Sequence, residues 1–159
     1  MNIDYFRAAE RDIQSLPILK KSLDMLKKRR DYLIKAGAPR SPGTVDFSKP
    51  YVDAHTVNDT LGELLALSEV TKEIQITESE INQIEIALEA LPKEQKNVLV
   101  YFYIDGMPAE RIAERIYVES DKTVYSIRNK GIANFALLMY GASAKQQTRD
   151  RPDRTGKNR

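Results

Sequence analysis

A long stripe of apolar side chains constrains the fold of this chain more than any other feature. Between residues 67 and 91 the spacing alternates between three and four, and Thr77 is the only polar member. This spacing keeps one face of an α-helix apolar and is typical of a coiled-coil seam. The sequence therefore predicts a helix from Thr56 or Asn58 to Leu91, with a length of roughly 50 Å. The members of the seam are Leu67, Val70, Ile74, Thr77, Ile81, Ile84, Leu88 and Leu91.

Residues 4–36 carry a second helical pattern. Proline lacks the N–H that a helix interior uses, so Pro17 predicts a kink or a fresh start there, with Ser15 or Leu16 as the N-cap residue. Gly37 suits the position just after a helix C-terminus. The stripe that would face a partner helix consists of Leu16, Leu19, Leu23, Leu26 and Leu33.

The two helical segments have opposite charges. Residues 17–36 have seven basic and two acidic side chains, whereas residues 56–91 have one basic and eight acidic ones. Residues 37–55 contain three of the seven prolines and no apolar repeat, which indicates a loop. We therefore expect residues 1–90 to form an antiparallel, coiled-coil-like helical hairpin. A lone pair of helices buries little surface, so the hairpin is also expected to assemble the chain into a homo-oligomer.

Shorter helices follow a break at Pro92. Residues 93–104 are predicted as a compact apolar helix, and Asp105 with Gly106 as a turn. Pro108 fits the first turn of the next helix, where its missing N–H is not needed. The buried face of that helix is predicted to consist of Ile112, Ala113 and Ile116.

A further helix is predicted after a turn at residues 117–119. Ser120 is a good N-cap residue because its hydroxyl can accept from free amides one turn later. The two helices and their turn, residues 107–133, have the spacing of a helix-turn-helix, with small Ala113 at the crossing and Val118 filling the turn. The inward residues of the second helix are predicted to be Val124, Ile127 and Gly131, and the helix is predicted to continue through Ile132, Phe135 and Leu138.

The opposite face of this second helix is suited to DNA. No acidic residue occurs from Lys122 to Ala133. Lysine can neutralise phosphate or donate to guanine, asparagine can pair with adenine through two hydrogen bonds, and hydroxyls can donate to phosphates or bases. Arg128 lies at the edge of the buried stripe and is expected to reach the DNA backbone. The other predicted DNA-binding residues on this face are Lys122, Thr123, Tyr125, Ser126, Asn129 and Lys130.

Residues 91–138, from LPKEQKNVL to the run IAERIYVESDKTVYSIRNKGIANFALL, resemble the fourth conserved region of bacterial sigma factors, a module that reads the promoter −35 element. With a hairpin ahead of that module, residues 1–140 resemble phage and mobile-element transcription regulators of the ArpU and RinA type. The resemblance implies a sequence-specific activator that binds duplex promoter DNA through residues 91–141. It also implies phosphate contacts near Pro108 and makes RNA polymerase a further candidate partner.

The chain departs from the sigma pattern at three places. Met107 replaces the usual capping Ser or Thr, Tyr117 replaces the usual turn glycine, and the turn through Glu119 is one residue longer. Two alternatives stay open. A small terminase subunit for DNA packaging also couples a helix-turn-helix to helical oligomerisation segments, and a sigma-like module could bind a protein instead of DNA.

Enzymatic chemistry has little support in the sequence. The chain has no cysteine, which excludes a disulfide framework, a thiolate nucleophile and a Cys-based zinc site. The single histidine, His55, falls in the predicted loop and is interpreted as a surface residue. No Gly-rich phosphate loop or nucleophile motif occurs. We therefore expect a protein that is not an enzyme and that uses neither a cofactor nor a metal.

The ends of the chain bear on its location. Gly141 is predicted to stop the last helix, and residues 142–159 have six basic side chains and almost no large apolar ones, which predicts a disordered basic tail. The first twelve residues mix acids and bases, unlike a signal peptide, and no run approaches the length of a membrane span. The expected location is the cytoplasm of a bacterial host cell, away from the membrane.

Overall fold

A computed structural model describes residues 4–36 and 54–145. Within these residues the fold contains helices and no strand, so the all-α prediction is confirmed. Two long helices are followed by three shorter ones. Their bounds are α1 Tyr5–Ala36, α2 Ala54–Glu89, α3 Lys93–Leu99, α4 Ala109–Ile116 and α5 Asp121–Tyr140. A π-helical turn, Val100–Ile104, extends α3, and a 3₁₀ turn, Gly141–Ala144, follows α5.

The chain divides into two compact units. One unit takes residues up to Ile18 together with those from Ile81 onward, and the other is Leu19–Glu80. This division differs from the predicted boundary near residue 90, because the start of α1 belongs to the C-terminal helices. Within that unit Tyr103 donates its hydroxyl to Glu10 at 2.7 Å, and Tyr140 donates to Asp12.

The predicted fresh start at Pro17 is not observed, because α1 continues through the proline. Ser15 is therefore not an N-cap residue; it lies inside the helix and donates its hydroxyl to the Asp12 carbonyl at 2.8 Å. Proline removes one backbone hydrogen bond from a helix interior. Burial of Ala9, Ile13 and Leu16, which lie on one face just ahead of the proline, offsets that cost.

The apolar seam of α2 is buried as the spacing predicts. Its members from Val70 to Leu91 are at most 7% exposed, and Leu67 is half-buried. Thr77 is tolerated in the seam because its hydroxyl donates to the Glu73 carbonyl at 2.8 Å. The seam is thus filled by the chain itself, and association with a second copy would have to use other residues.

The second unit contains the facing parts of α1 and α2. Lys27 and Glu78 form an ion pair across these helices, with Nζ and Oε1 2.7 Å apart, as expected from their opposite charges. Helix α2 begins at Ala54, so His55 lies in its first turn and not in the predicted loop. The rest of that predicted loop, residues 37–53, lies outside the described residues.

Tyr103 should make the first unit sensitive to alkali. Burial, followed by the hydrogen bond to Glu10, raises the pKa of Tyr103 well above its usual value. Since the pKa is higher in the folded than in the unfolded chain, this contribution to stability is complete below about pH 10 and is lost as the pH rises above it. We expect Tyr103→Phe to cost about 1 kcal/mol at pH 7 and to lose less stability than wild type between pH 9 and pH 11, a range set by the ordinary tyrosine pKa of about 10. Urea denaturation across that range measures both effects, and parallel curves for the two proteins would contradict the assignment.

Candidate nucleic-acid interface

Helices α4 and α5 are held together by one small core. Its buried members come from three helices, and the π-helical turn adds two rings at its edge. Of the predicted inward residues, Ile112, Ala113, Val124 and Gly131 are buried, whereas Ile116 and Ile127 are only partly buried. The buried core residues are Val98, Ala109, Ile112, Ala113 and Val124.

The start of α4 differs by one residue from the prediction. Pro108 is the N-cap residue in extended conformation, and its carbonyl accepts from the Ile112 N–H at 3.1 Å. It is exposed. Just before it, the Met107 N–H donates to the Tyr101 carbonyl at 2.8 Å and so ties this end of α4 to the π-helical turn.

The turn between α4 and α5 closes as a Schellman motif. The Val118 N–H donates to the Ala113 carbonyl at 3.0 Å, and the Tyr117 N–H donates to the Glu114 carbonyl at 3.4 Å. Val118 packs against the core, as predicted. Tyr117 occupies the left-handed position, with φ 59° and ψ 45°, and its side chain is 94% exposed.

A glycine at position 117 should stabilise the protein. The left-handed conformation is strained for a residue with a Cβ, and the exposed ring of Tyr117 gains no burial in return. Tyr117→Gly is therefore expected to increase the free energy of unfolding by about 1 kcal/mol, which corresponds to a rise of roughly 3 °C in Tm. Tyr117→Ala is the control, because it removes the ring but keeps the Cβ. Thermal melts of both variants measure the difference, and an equal shift for alanine and glycine would show that backbone strain is not the cause.

The first turn of α5 is built partly as predicted. Ser120 is the N-cap residue, but its hydroxyl makes no capping hydrogen bond; instead its backbone carbonyl accepts from the Thr123 N–H at 3.0 Å. Six of the predicted DNA-binding residues lie on the exposed surface of α5. These are Lys122, Thr123, Tyr125, Ser126, Asn129 and Lys130.

The second half of α5 buries Gly131, Ile132, Phe135 and Ala136. Gly131 faces α3, where an added Cβ would lie 3.2 Å from the Leu99 side chain. The helix continues through Leu138 as predicted; Phe135 is fully buried, whereas Leu138 is 50% exposed. Gly141 ends the helix, with φ 68°.

The prediction of a disordered tail from residue 142 is wrong for its first residues. Residues 141–144 form the 3₁₀ turn after α5, and Ala144 is buried, so order extends past residue 142. Residues 146–159 lie outside the described residues.

Arg128 is held by rings and does not extend freely toward solvent. Its guanidinium carbon lies 4.8 Å from the centre of the Phe102 ring and 5.0 Å from that of Tyr125. Nε and Nη2 both donate to Oδ1 of Asn129, at 3.3 and 3.0 Å. These contacts already engage the Arg128 guanidinium. The predicted contact of Arg128 with the DNA backbone would therefore have to form alongside them or replace them.

No relative is found for the chain. Comparison with models of protein families, with curated proteins and with solved structures gives no match.

A metal site and a membrane span are two other features considered for the described residues. The described residues contain no group of three or more acidic, histidine or cysteine side chains arranged to hold a metal ion. Among residues 4–36 and 54–145, no helix combines the length and apolarity that a membrane crossing requires.

Sequence patterns did not predict the aromatic rings that lie against α4 and α5. The π-helical turn places Tyr101 under the guanidinium of Arg115, at 4.7 Å, and Phe102 under that of Arg128. The sequence has a run of three aromatic residues at 101–103, but such a run is equally consistent with the apolar face of an ordinary helix. The extra residue per turn of the π-helix decides where the rings point.

Proposed function

We propose that this protein is a sequence-specific transcription regulator that binds duplex DNA through α5. The main support is one observation: an exposed, acid-free polar face on a helix whose opposite stripe is fixed in a core. The exposed residues provide two lysines, an asparagine amide and three hydroxyl groups. This combination offers charge for phosphates and directional hydrogen bonds for base edges.

The arrangement around α5 fits docking into a major groove. A recognition helix presents its first turns to the bases while the preceding helix crosses the backbone. In this chain α4 would supply that crossing helix, with Pro108 at the end that approaches phosphates. Two acids precede the acid-free face: Glu119 in the turn before α5 and Asp121 at its first position. Binding should therefore depend on Lys122 and Lys130 for charge.

A second copy of the chain is part of the proposal. Because the seam of α2 is filled within the chain, the contact would use α1, where Met25 and Tyr32 lie seven residues apart and are 64% and 71% exposed. Dimer formation would present two recognition helices to half-sites about 34 Å apart or a multiple of that distance. If sedimentation equilibrium finds only monomer at micromolar concentration, the proposed dimer is rejected.

The phage or mobile-element role and the contact with RNA polymerase extend the proposal further. Both derive from the resemblance of residues 91–138 to the fourth region of sigma factors. In this role the protein would activate promoters in the cytoplasm of a bacterial host.

The proposal is tested by binding of the purified chain to DNA. Fragments retained from a randomised duplex library should converge on one motif, and affinity for that motif should fall steeply as salt increases, because phosphate contacts release counterions. At physiological salt, unrelated duplexes should bind more weakly than the selected motif by roughly 1,000-fold or more. Failure to bind any duplex even at low salt would reject the proposal in favour of a module that binds only proteins.

A further inference from the structure

Arg128 and Asn129 form a fixed pair at the edge of the proposed DNA face. Two of the three guanidinium nitrogens, Nε and Nη2, donate to the same oxygen, Oδ1 of Asn129. The guanidinium itself is stacked on Phe102 and Tyr125, so its position does not depend on Asn129 alone.

The chemistry of arginine determines which way the asparagine amide points. A guanidinium has donors and no acceptor, so the atom that faces it has to be the amide oxygen and not the nitrogen. Since Asn129 is exposed, its NH₂ group is left to the solvent side of the pair. Asn129 therefore offers donors at the surface, while its acceptor is already engaged.

Base edges in the major groove respond differently to such a group. Adenine is read by asparagine through one donated and one accepted bond, and the accepted bond needs a free Oδ1. Guanine presents two neighbouring acceptors, N7 and O6, and cytosine presents a donor. We propose that Arg128 is a positioning residue that makes Asn129 read guanine and not adenine. This inference rests on the proposed function.

The support for the pair extends back to α1. Phe102 packs edge-on against Tyr125, with ring centres 6.1 Å apart, and against Tyr103 at 5.0 Å. Tyr103 is held in turn by its hydrogen bond to Glu10. Each member of this series is fixed by a neighbour on a different turn or helix, so the guanidinium is held in place before DNA binds.

Selection from a randomised duplex library tests the inference. Three proteins are compared: wild type, Asn129→Ala and Arg128→Met, whose apolar side chain can still cover the rings. Wild type should prefer guanine over adenine by about tenfold at one position of the motif, and Asn129→Ala should lose the preference at that position only. Arg128→Met should change the same position toward adenine, because Oδ1 is free to accept.

A second measurement examines the pair without DNA. In NMR spectra of the free protein, the Arg128 Nε–H should exchange slowly with water and should exchange fast in Asn129→Ala. An adenine at the Asn129 position in the wild-type motif, or an unchanged motif for Arg128→Met, would overturn the inference while leaving DNA binding intact. Fast exchange of the wild-type Nε–H would overturn it too. Absence of any enriched motif would instead reject the proposed function.

Discussion

Simultaneous replacement of Lys122 and Asn129 by alanine is expected to abolish selective DNA binding. Both side chains are exposed on α5, and neither packs in the core, so the variant should fold normally. Loss of one phosphate or base contact from lysine and one base contact from asparagine should weaken binding to the selected motif on the order of 100-fold. Fluorescence anisotropy titrations at several salt concentrations measure the loss. The slope of log affinity against log salt should also decrease by about one.

The matched control removes the same residue types from outside that face. Asn82 and Lys93 are both exposed in the same compact unit, on α2 and at the start of α3. Asn82→Ala with Lys93→Ala has the same change in charge and should bind the motif as wild type does. If the two double variants lose affinity equally, net charge and not the face of α5 determines binding.

The spacing of apolar residues along the sequence correctly predicted the helices and most of the buried positions. The seam of α2 could be predicted because a helix buries side chains three and four residues apart whatever it packs against. The face of α5 from Lys122 to Lys130 could be predicted for the same reason. Both predictions depend only on the geometry of a single helix.

Features that depend on contacts between distant segments could not be predicted in this way. Pro17 resembles a helix break until the burial of the residues ahead of it is known. Leu138 has the spacing of an inward residue, yet its side chain is 50% exposed, whereas that of Ala136 is buried. The hydrogen bonds from Tyr103 and Tyr140 to α1 join residues more than ninety positions apart, and no local pattern encodes such pairs.

The position of Arg128 shows how these long-range contacts shape the proposed DNA-binding face. The helical periodicity of α5 correctly predicts that Arg128 lies at the edge of the buried stripe. What lies at that edge is Phe102, and the direction of Phe102 is set by the π-helical turn. A residue that sequence patterns assign to a phosphate contact is therefore already engaged with rings and with Asn129.

Within α5, truncation of Phe135 should cost the most stability. Leu138, about one turn later in the same helix, provides the control. Phe135 is the largest fully buried side chain in the described residues, so Phe135→Ala should leave a cavity and cost about 3–5 kcal/mol. That loss is a large part of the roughly 5–15 kcal/mol by which a domain is stable, so DNA binding should weaken with it. Leu138→Ala, on the same helix but half exposed, should cost less than about 1 kcal/mol. Urea denaturation followed by far-UV circular dichroism compares the two, and equal losses would mean that α5 packs on the Leu138 side, which would turn its DNA-binding face away from the direction proposed.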